Sequence, residues 1–220
     1  ALGRLSANLA HEIRNPLSSI QQAGQLLDEQ AADERLTGII QRESRRMNDW
    51  VETLLSHLRP PTGQMRTITL QPVVSGAIRL LDAEASDADP STFDADVPEE
   101  LTVCADEGHL QQILWNLGIN AIRHGGAGEN GGGRIRAREL GSGRTRIEVL
   151  DRGPGIPDNA RERIFEPFYT TAARGTGLGL GLVRELAEAN HGRITVEDRP
   201  GGGTCFAVEL PTACPKRGET

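Results

Sequence analysis

The chain has 220 residues, a formal net charge of −7, and a composition that is 37% hydrophobic and only 3% aromatic. This composition is typical of a soluble protein with an aliphatic core, the length allows one large or two small domains, and the negative charge argues against a nucleic-acid partner. No run of about 18 apolar residues occurs, so we expect no membrane contact by this fragment. The chain starts with Ala1 instead of Met and carries no signal peptide, so we expect an upstream part to be missing.

The first 59 residues are predicted to form two amphipathic helices. Residues 1–30 repeat apolar side chains at helical spacing, and Asp33 can cap a second helix that runs to about Arg59. Two such helices bury little surface alone. We therefore expect a symmetric dimer in which two hairpins form a four-helix bundle.

A cluster of reactive side chains lies on the first helix. His11 and Asn15 are four residues apart and share a helix face, with Glu12 beside them. Pro16 removes a helical hydrogen bond and predicts a bend. A His-Glu pair is by itself usually only part of a polar face, and a zinc site would need a second histidine where Asn15 stands.

The pattern changes after Pro60-Pro61, which predicts a linker over residues 60–66, a second domain over 67–213 and a disordered tail over 214–220. Within the second domain we expect a hairpin of strands 93–97 and 101–104, and a helix from an Asp106 cap to Arg123. The other predicted strands are 67–70, 134–140, 144–150, 194–197 and 204–210, and the other predicted helices are 72–85 and 178–190. This order predicts an α/β sandwich with a mixed sheet covered on one face by helices.

The three cysteines, Cys104, Cys205 and Cys214, are odd in number and lack CxxC spacing. They indicate neither a disulfide framework nor a zinc ribbon. We expect buried or incidental thiols in a reducing cytosol.

The second domain carries polar residues suited to a nucleotide. Asn116 and Asn120 share a helix face with Arg123 one turn on, which offers amide oxygen to Mg²⁺ and positive charge to phosphates. Asp151 ends a strand before Gly153 and Gly155, where it can accept from an exocyclic amine such as that of adenine. Alone, each signal is also compatible with ordinary surface or an ordinary turn.

A glycine-rich run, Gly175-Thr176-Gly177-Leu178-Gly179, leads into the next predicted helix. Such loops present N–H groups and a positive helix end to phosphates. The spacing fits neither G-x-G-x-x-G nor a P-loop. The alternative is a plain flexible loop.

The order of these motifs carries a family resemblance. Five motifs occur in succession: the asparagine motif, the Asp-x-Gly turn, Phe165-Glu166-Pro167-Phe168, the glycine loop and Gly201-Gly202-Gly203-Thr204. This succession resembles the ATP-binding domain of sensor histidine kinases (the GHKL type), and the His11 stretch resembles their H box, in the form typical of the NtrB- and PilS-like branch. The resemblance implies an α+β protein: a dimeric helical hairpin followed by an α/β sandwich.

By resemblance, His11 accepts a phosphoryl group from Mg-ATP and Glu12 assists it. The implied acceptor of that phosphoryl group is the receiver domain of a response regulator. Asn15 is implied to orient a water that later dephosphorylates the same domain. Asn116 is the expected Mg²⁺ ligand, and residues 165–176 the expected lid. The residues expected to contact ATP are Asn116, Asn120, Arg123, Asp151, Gly153, Gly155, Gly175, Thr176, Gly177, Leu178, Gly179 and Thr204. The resemblance implies a homodimer in the cytoplasm, and it allows an inner-membrane anchor in the full-length protein.

Two rival functions remain open at this stage. An ATP-driven conformational machine, chaperone- or topoisomerase-like, would need no His11, but Gln112 stands where ATP-hydrolysing relatives carry a glutamate base. A non-catalytic scaffold would bind a regulator without phosphorylation. Its support is a lid with Ala172 and Ala173 where relatives often carry lysine, leaving Arg174 as the basic residue.

Overall fold

The computed structural model describes residues 17–24, 36–40, 43–44, 47, 63–84, 93–125, 133–170 and 177–214. The chain forms two compact units, Ala1–Pro60 and Pro61–Thr220. In the first unit, residues 17–24 and 36–40 are helical, and Ala23 is buried. The predicted bend at Pro16 lies outside the described residues. None of the described helices is both long and apolar enough to cross a bilayer.

The second unit alternates strands and helices in an order close to that predicted. Its strands are β1 (Arg66–Thr69), β2 (Asp94–Asp96), β3 (Thr102–Ala105), β4 (Arg134–Leu140), β5 (Arg144–Leu150), β6 (Arg193–Asp198) and β7 (Thr204–Pro211). Its helices are α1 (Leu70–Glu84), α2 (Glu107–His124) and α3 (Gly179–Ala189). Short 3₁₀ turns at Asp158–Ala160 and Arg163–Phe165 connect β5 to the segment before α3.

The main sheet has the order β2-β4-β5-β7-β6, with β2 parallel to β4 and the other pairs antiparallel. The predicted mixed sheet is therefore confirmed. The predicted hairpin of strands 93–97 and 101–104 is wrong, because β3 pairs with β1 in a separate two-stranded sheet. The burial of the two strands explains this outcome. β2 is exposed at a sheet edge, whereas Val103, Cys104 and Ala105 of β3 are buried.

The core lies between one face of the sheet and the helices. Alternate residues of β4, β5 and β7 face it, and so do the apolar stripes of α1 and α2. Its largest fully buried side chains are Leu70, Val74, Leu81, Val103, Leu110, Ile113, Leu114, Leu117, Ile135, Ile147, Val149 and Leu210. Helices α1 and α2 approach closely at Gly118, where a Cβ atom would overlap Leu81. A side chain at position 118 would thus separate the two helices.

The opposite sheet face carries a group of ion pairs. Glu148 and Glu209 are only 2% and 5% exposed. Glu148 accepts from Arg136 at 2.7 Å and from Arg146 at 2.8 Å, while Glu209 accepts from Arg193 at 2.9 Å. Burial by itself would raise the pKa of Glu148, but the hydrogen bonds from Arg146 and Arg136 outweigh it and lower that pKa. The Glu148 carboxylate is therefore held ionised.

A disulfide joins Cys104 at β3 to Cys214 after β7, with Cα atoms 4.8 Å apart and a sequence separation of 110. The prediction of unpaired thiols was wrong for these two residues. Sequence spacing cannot reveal that β7 brings the chain back beside β3, where Thr212 accepts from the Thr102 hydroxyl at 3.2 Å. Cys205 is free and buried, and burial raises the pKa of its thiol to about 11. The remaining tail, residues 215–220, lies outside the described residues.

Candidate functional site

Hydrogen bonds of Asp106 hold the N-terminus of helix α2 in place. The Asp106 carboxylate accepts from the His109 N–H at 3.0 Å and from the Gln64 N–H at 2.9 Å, which confirms the predicted cap. The Asp106 N–H donates to the side-chain oxygen of the buried Asn190 at 2.7 Å. Asn190 directly follows α3. Partial burial by itself would raise the pKa of Asp106, but the main-chain donors of His109 and Gln64 outweigh it and lower that pKa. The start of α2 is thereby tied both to Gln64, within the predicted linker, and to the residue after α3.

Asn116 lies where α2 meets the start of α3. Its amide nitrogen donates to the Gln112 carbonyl at 2.9 Å, which turns the amide oxygen the other way. That oxygen lies 2.9 Å from the position that a Cβ atom on Gly179 would occupy. Asn120 follows one turn later and is half-buried, and Arg123 is exposed beyond it. Only a glycine at position 179 leaves space in front of the Asn116 oxygen.

Asp151 directly follows β5 and is 4% exposed. Its Oδ1 accepts from the Gly153 N–H at 2.8 Å and from the Thr204 N–H at 2.9 Å. Both of these donors bind the same carboxylate oxygen, so Oδ2 is the oxygen that can accept from a ligand. Gly153 packs against the His124 carbonyl, where a Cβ atom would overlap it. The C-terminal end of α2 therefore lies directly against the Asp151 turn.

The glycine-rich run closes on the preceding segment. The Gly177 carbonyl accepts from the Phe168 N–H at 2.9 Å, and both residues have left-handed backbones, with φ of 65° and 67°. A Cβ atom on Gly177 would lie 2.5 Å from Phe168, so this approach requires glycine. Leu178 is buried and Gly179 begins α3. Gly175 and Thr176, with the rest of 171–176, lie outside the described residues.

Two arginines stack on aromatic rings beside this segment. The guanidinium of Arg184 lies 4.8 Å from the Phe165 ring centre, and that of Arg163 lies 4.6 Å from the Tyr169 ring centre. Such contacts stabilise by roughly 0.5–1 kcal/mol at exposed sites. They fix the first part of the predicted lid to α3 and to the 3₁₀ turn before it.

The structure places predicted residues of the second unit at two points along α2. Asn116 of α2 lies against Gly179 at the start of α3, and Asp151 lies beside Thr204 of β7, with its turn packed against the end of α2. An amide oxygen, a helix N-terminus and a buried carboxylate are suited to a metal ion, phosphates and a purine amine respectively. The residues therefore fit a magnesium nucleotide. His11, Glu12 and Asn15 lie outside the described residues.

Two polar residues near this region were not anticipated from the sequence. Asn190 is 1% exposed and links α3 to the cap of α2, and Arg199 reaches the main chain of Asp151. An asparagine followed by His-Gly at a helix end is a common signal for a helix terminus, so Asn190 was recognisable as a cap. Its contact with Asp106, 84 residues away, was not.

The sequence matches two family models. Residues 105–213 match the family described as "Histidine kinase-, DNA gyrase B-, and HSP90-like ATPase", and residues 1–60 match the "His Kinase A (phospho-acceptor) domain". The match to the first family, together with the mixed sheet and its helices, defines the class of the second unit.

Individual relatives agree. The chain is 37% identical to the sensor histidine kinase ZraS of Klebsiella oxytoca over 96% of this chain and 46% of ZraS. It is 39% identical to the sensor protein kinase PilS of Pseudomonas aeruginosa over 94% of this chain and 40% of PilS. The catalytic domain of the histidine kinase ThkA superposes with a TM-score of 0.60 at 32% identity, over 68% of this chain and 96% of that domain. ThkA in complex with the response regulator protein TrrA gives a TM-score of 0.80 at 31% identity, over 98% of this chain and 63% of that one.

The chain belongs to the bacterial two-component sensor histidine kinases. It has the two expected parts, a helical phosphoacceptor-type domain followed by an α/β sandwich of the histidine-kinase type. The chain spans just under half the length of the curated relatives it matches.

Proposed function

We propose that this chain is the core of a sensor histidine kinase that phosphorylates its own His11 from Mg-ATP and passes the phosphoryl group to an aspartate of a response-regulator receiver domain. The observation that supports this proposal best is the placement of Asn116 against the start of α3 and of the Asp151 turn against the end of α2, in a chain whose residues 1–60 match a phosphoacceptor domain. We place this activity in the cytoplasm, where ATP and receiver domains occur together.

The described side chains have distinct proposed roles. The Asn116 amide oxygen would hold Mg²⁺, which when bound neutralises phosphate charge. Asn120 and Arg123 lie farther along the same helix and would contact the phosphates. Asp151 would accept from the adenine amine through Oδ2, because its other oxygen is occupied. The N-terminus of α3 adds main-chain donors. These groups position and neutralise, which is most of what phosphoryl transfer requires.

His11 is the proposed nucleophile. An imidazole with a pKa of about 6.5 keeps a neutral ring nitrogen available near pH 7. Glu12, adjacent in sequence, would hold the ring and help to remove its proton. We further propose that residues 1–59 form the dimer, residues 60–66 the linker and residues 67–213 the ATP-binding domain. A hinge at Pro60-Pro61 would let the nucleotide reach His11.

Labelling with γ-³²P-ATP and Mg²⁺ tests the kinase proposal. We expect acid-labile, alkali-stable label on the wild type and none on His11→Ala. His57→Ala, another histidine of the first 60 residues, serves as the matched control and should label normally. Steady ATP hydrolysis that does not need His11 would instead favour the conformational-machine alternative. Nucleotide binding without any label would favour the scaffold.

Asn15 supports a second proposed activity, dephosphorylation of the phosphorylated receiver domain. An amide four residues after His11 can orient a water against the phospho-aspartate. We expect Asn15→Ala to keep autophosphorylation and to lose regulator dephosphorylation by 10-fold or more, roughly the contribution of one positioned group. The measurement is decay of phospho-regulator in the presence of ADP and each kinase variant. Equal loss of both activities would contradict this separation of roles.

A further inference from the structure

Arg199 contacts the proposed adenine-binding residue from outside the motifs. It lies between the end of β6 and the glycines that lead into β7. Its guanidinium Nη1 donates to the main-chain carbonyl of Asp151 at 2.8 Å, across 48 residues of sequence. A charged donor on a part-buried carbonyl is among the stronger protein hydrogen bonds. Arg199 therefore bears directly on how Asp151 is held.

The turn that carries Arg199 is itself well fixed. The Arg199 N–H donates to the Gly203 carbonyl at 3.1 Å, and the Gly202 N–H donates back to the Arg199 carbonyl at 3.0 Å. Gly203 has a φ of 105°, and a Cβ atom there would overlap the Asp151 carbonyl oxygen. Arg199 and Gly203 thus meet at the same oxygen, so the turn cannot shift without disturbing it.

Asp151 is held at three polar groups by this one hairpin. Its N–H donates to the Thr204 carbonyl at 3.0 Å, its carbonyl accepts from Arg199, and its Oδ1 accepts from the Thr204 N–H at 2.9 Å. Two of these bonds come from the backbone of β7 and do not involve the Arg199 side chain. The third depends on a single side chain, that of Arg199.

We propose that Arg199 is a positioning residue for purine selection: it fixes the Asp151 main chain so that the carboxylate meets an amino group and not a carbonyl. The proposal rests on the proposed function, in which Asp151 accepts from adenine. Guanine presents an oxygen where adenine presents its amine, so a rigid carboxylate at that point repels it. Without Arg199 the turn relaxes, and both the ATP contact and the exclusion of GTP weaken.

The test compares ATP and GTP binding to the full chain by titration calorimetry with Mg²⁺, alongside the ATP dependence of autophosphorylation. We expect Arg199→Met to weaken ATP binding roughly ten-fold, the order of effect of one charged hydrogen bond, and to leave GTP binding unchanged or stronger. KM for ATP should rise while kcat at saturating ATP stays constant. Arg199→Lys retains a charged donor and should recover most of the preference for ATP.

Arg193→Met is the matched control, because Arg193 begins the strand β6 that Arg199 follows, and it pairs with Glu209 on the far sheet face. It should leave both nucleotide affinities unchanged. Equal affinities of wild type and Arg199→Met for ATP would overturn the inference, and so would a parallel loss of ATP and GTP binding. If Arg199→Met does not fold, Arg199→Lys decides between the outcomes. A folded Arg199→Lys with the wild-type preference for ATP over GTP supports the inference, and a folded Arg199→Lys that has lost this preference overturns it. A wild type that binds no nucleotide overturns the proposed function as well, so the two failures are distinguishable.

Discussion

Replacing Cys214 by serine is expected to lower the free energy of unfolding of the second unit by up to about 4.8 kcal/mol. The Cys104–Cys214 bond closes a loop of 110 residues, and the chain-entropy relation assigns about 16 cal/mol/K to a loop of that size, which is about 4.8 kcal/mol at 25 °C. This value is an upper limit, because residual structure in the unfolded chain reduces it. For a unit of this size it corresponds to a loss of melting temperature on the order of 10 °C.

Thermal unfolding followed by circular dichroism, with and without dithiothreitol, measures the effect. Reduction should lower the melting temperature of the wild type, and Cys214→Ser without reductant should melt near the reduced wild type. Cys205→Ala, which removes the free buried thiol, is the control and should keep the full response to reductant. Thiol titration of the denatured, oxidised wild type should find one reactive thiol out of three cysteines.

Two results would refute this reasoning. Three reactive thiols in oxidised, denatured protein would show that the bond does not form. A wild type with one reactive thiol and an unchanged melting temperature on reduction would show that closing the loop does not limit the unfolded chain.

Two further predictions concern helix α2. Gly118→Ala should lower the free energy of unfolding by about 1–3 kcal/mol in a urea titration, because the new methyl group overlaps the fully buried Leu81. Gly76→Ala, at an uncrowded position of α1, is the control and should leave that free energy unchanged or raise it. The folded-state pKa of Asp106 lies below its ordinary value, so its contribution to stability is complete above that ordinary value and is lost as the pH falls through the lower one. In Asp106→Asn, the free energy of unfolding should therefore fall less steeply below about pH 4 than in the wild type. Asp82→Asn, at an exposed position, is the control and should keep the wild-type dependence on pH. The same dependence on pH in both variants would contradict the assigned cause.

Local patterns predicted the elements whose stability is local. The helix from Asp106 to Arg123 has its cap, its apolar stripe and its basic last turn within 18 residues, and the structure reproduces it with one added residue. Strands β4 and β5 follow each other through a Gly-Ser-Gly turn, so their pairing was also accessible. Asn116 and Asp151 could be placed on a helix and at a strand end because such spacing is visible in sequence, and their roles in binding stay predictions.

Contacts between distant segments were not accessible in the same way. The strand 102–105 pairs with β1 and not with its predicted neighbour, because burial of the whole core decides the partner. The disulfide and the Arg199 contact span 110 and 48 residues, and no local pattern marks either pair. Proximity of this kind depends on the sheet order, in which β7 lies beside β5, and that order is a property of the folded chain.

The far face of the main sheet has a consequence for how this unit tolerates change. Arginine carries three methylene groups below its charge, so the side chains of Arg136 and Arg146 shield the strands from water as a helix would elsewhere. The loss of one residue disturbs this group of ion pairs more than the loss of another. Loss of Arg136 still leaves Glu148 bonded to Arg146, whereas loss of Glu148 removes one carboxylate from both arginines at once. Glu148 and Arg146 are thus the shared components, since Arg146 also donates to Glu197 and Glu209, and Arg136 is the partly redundant one.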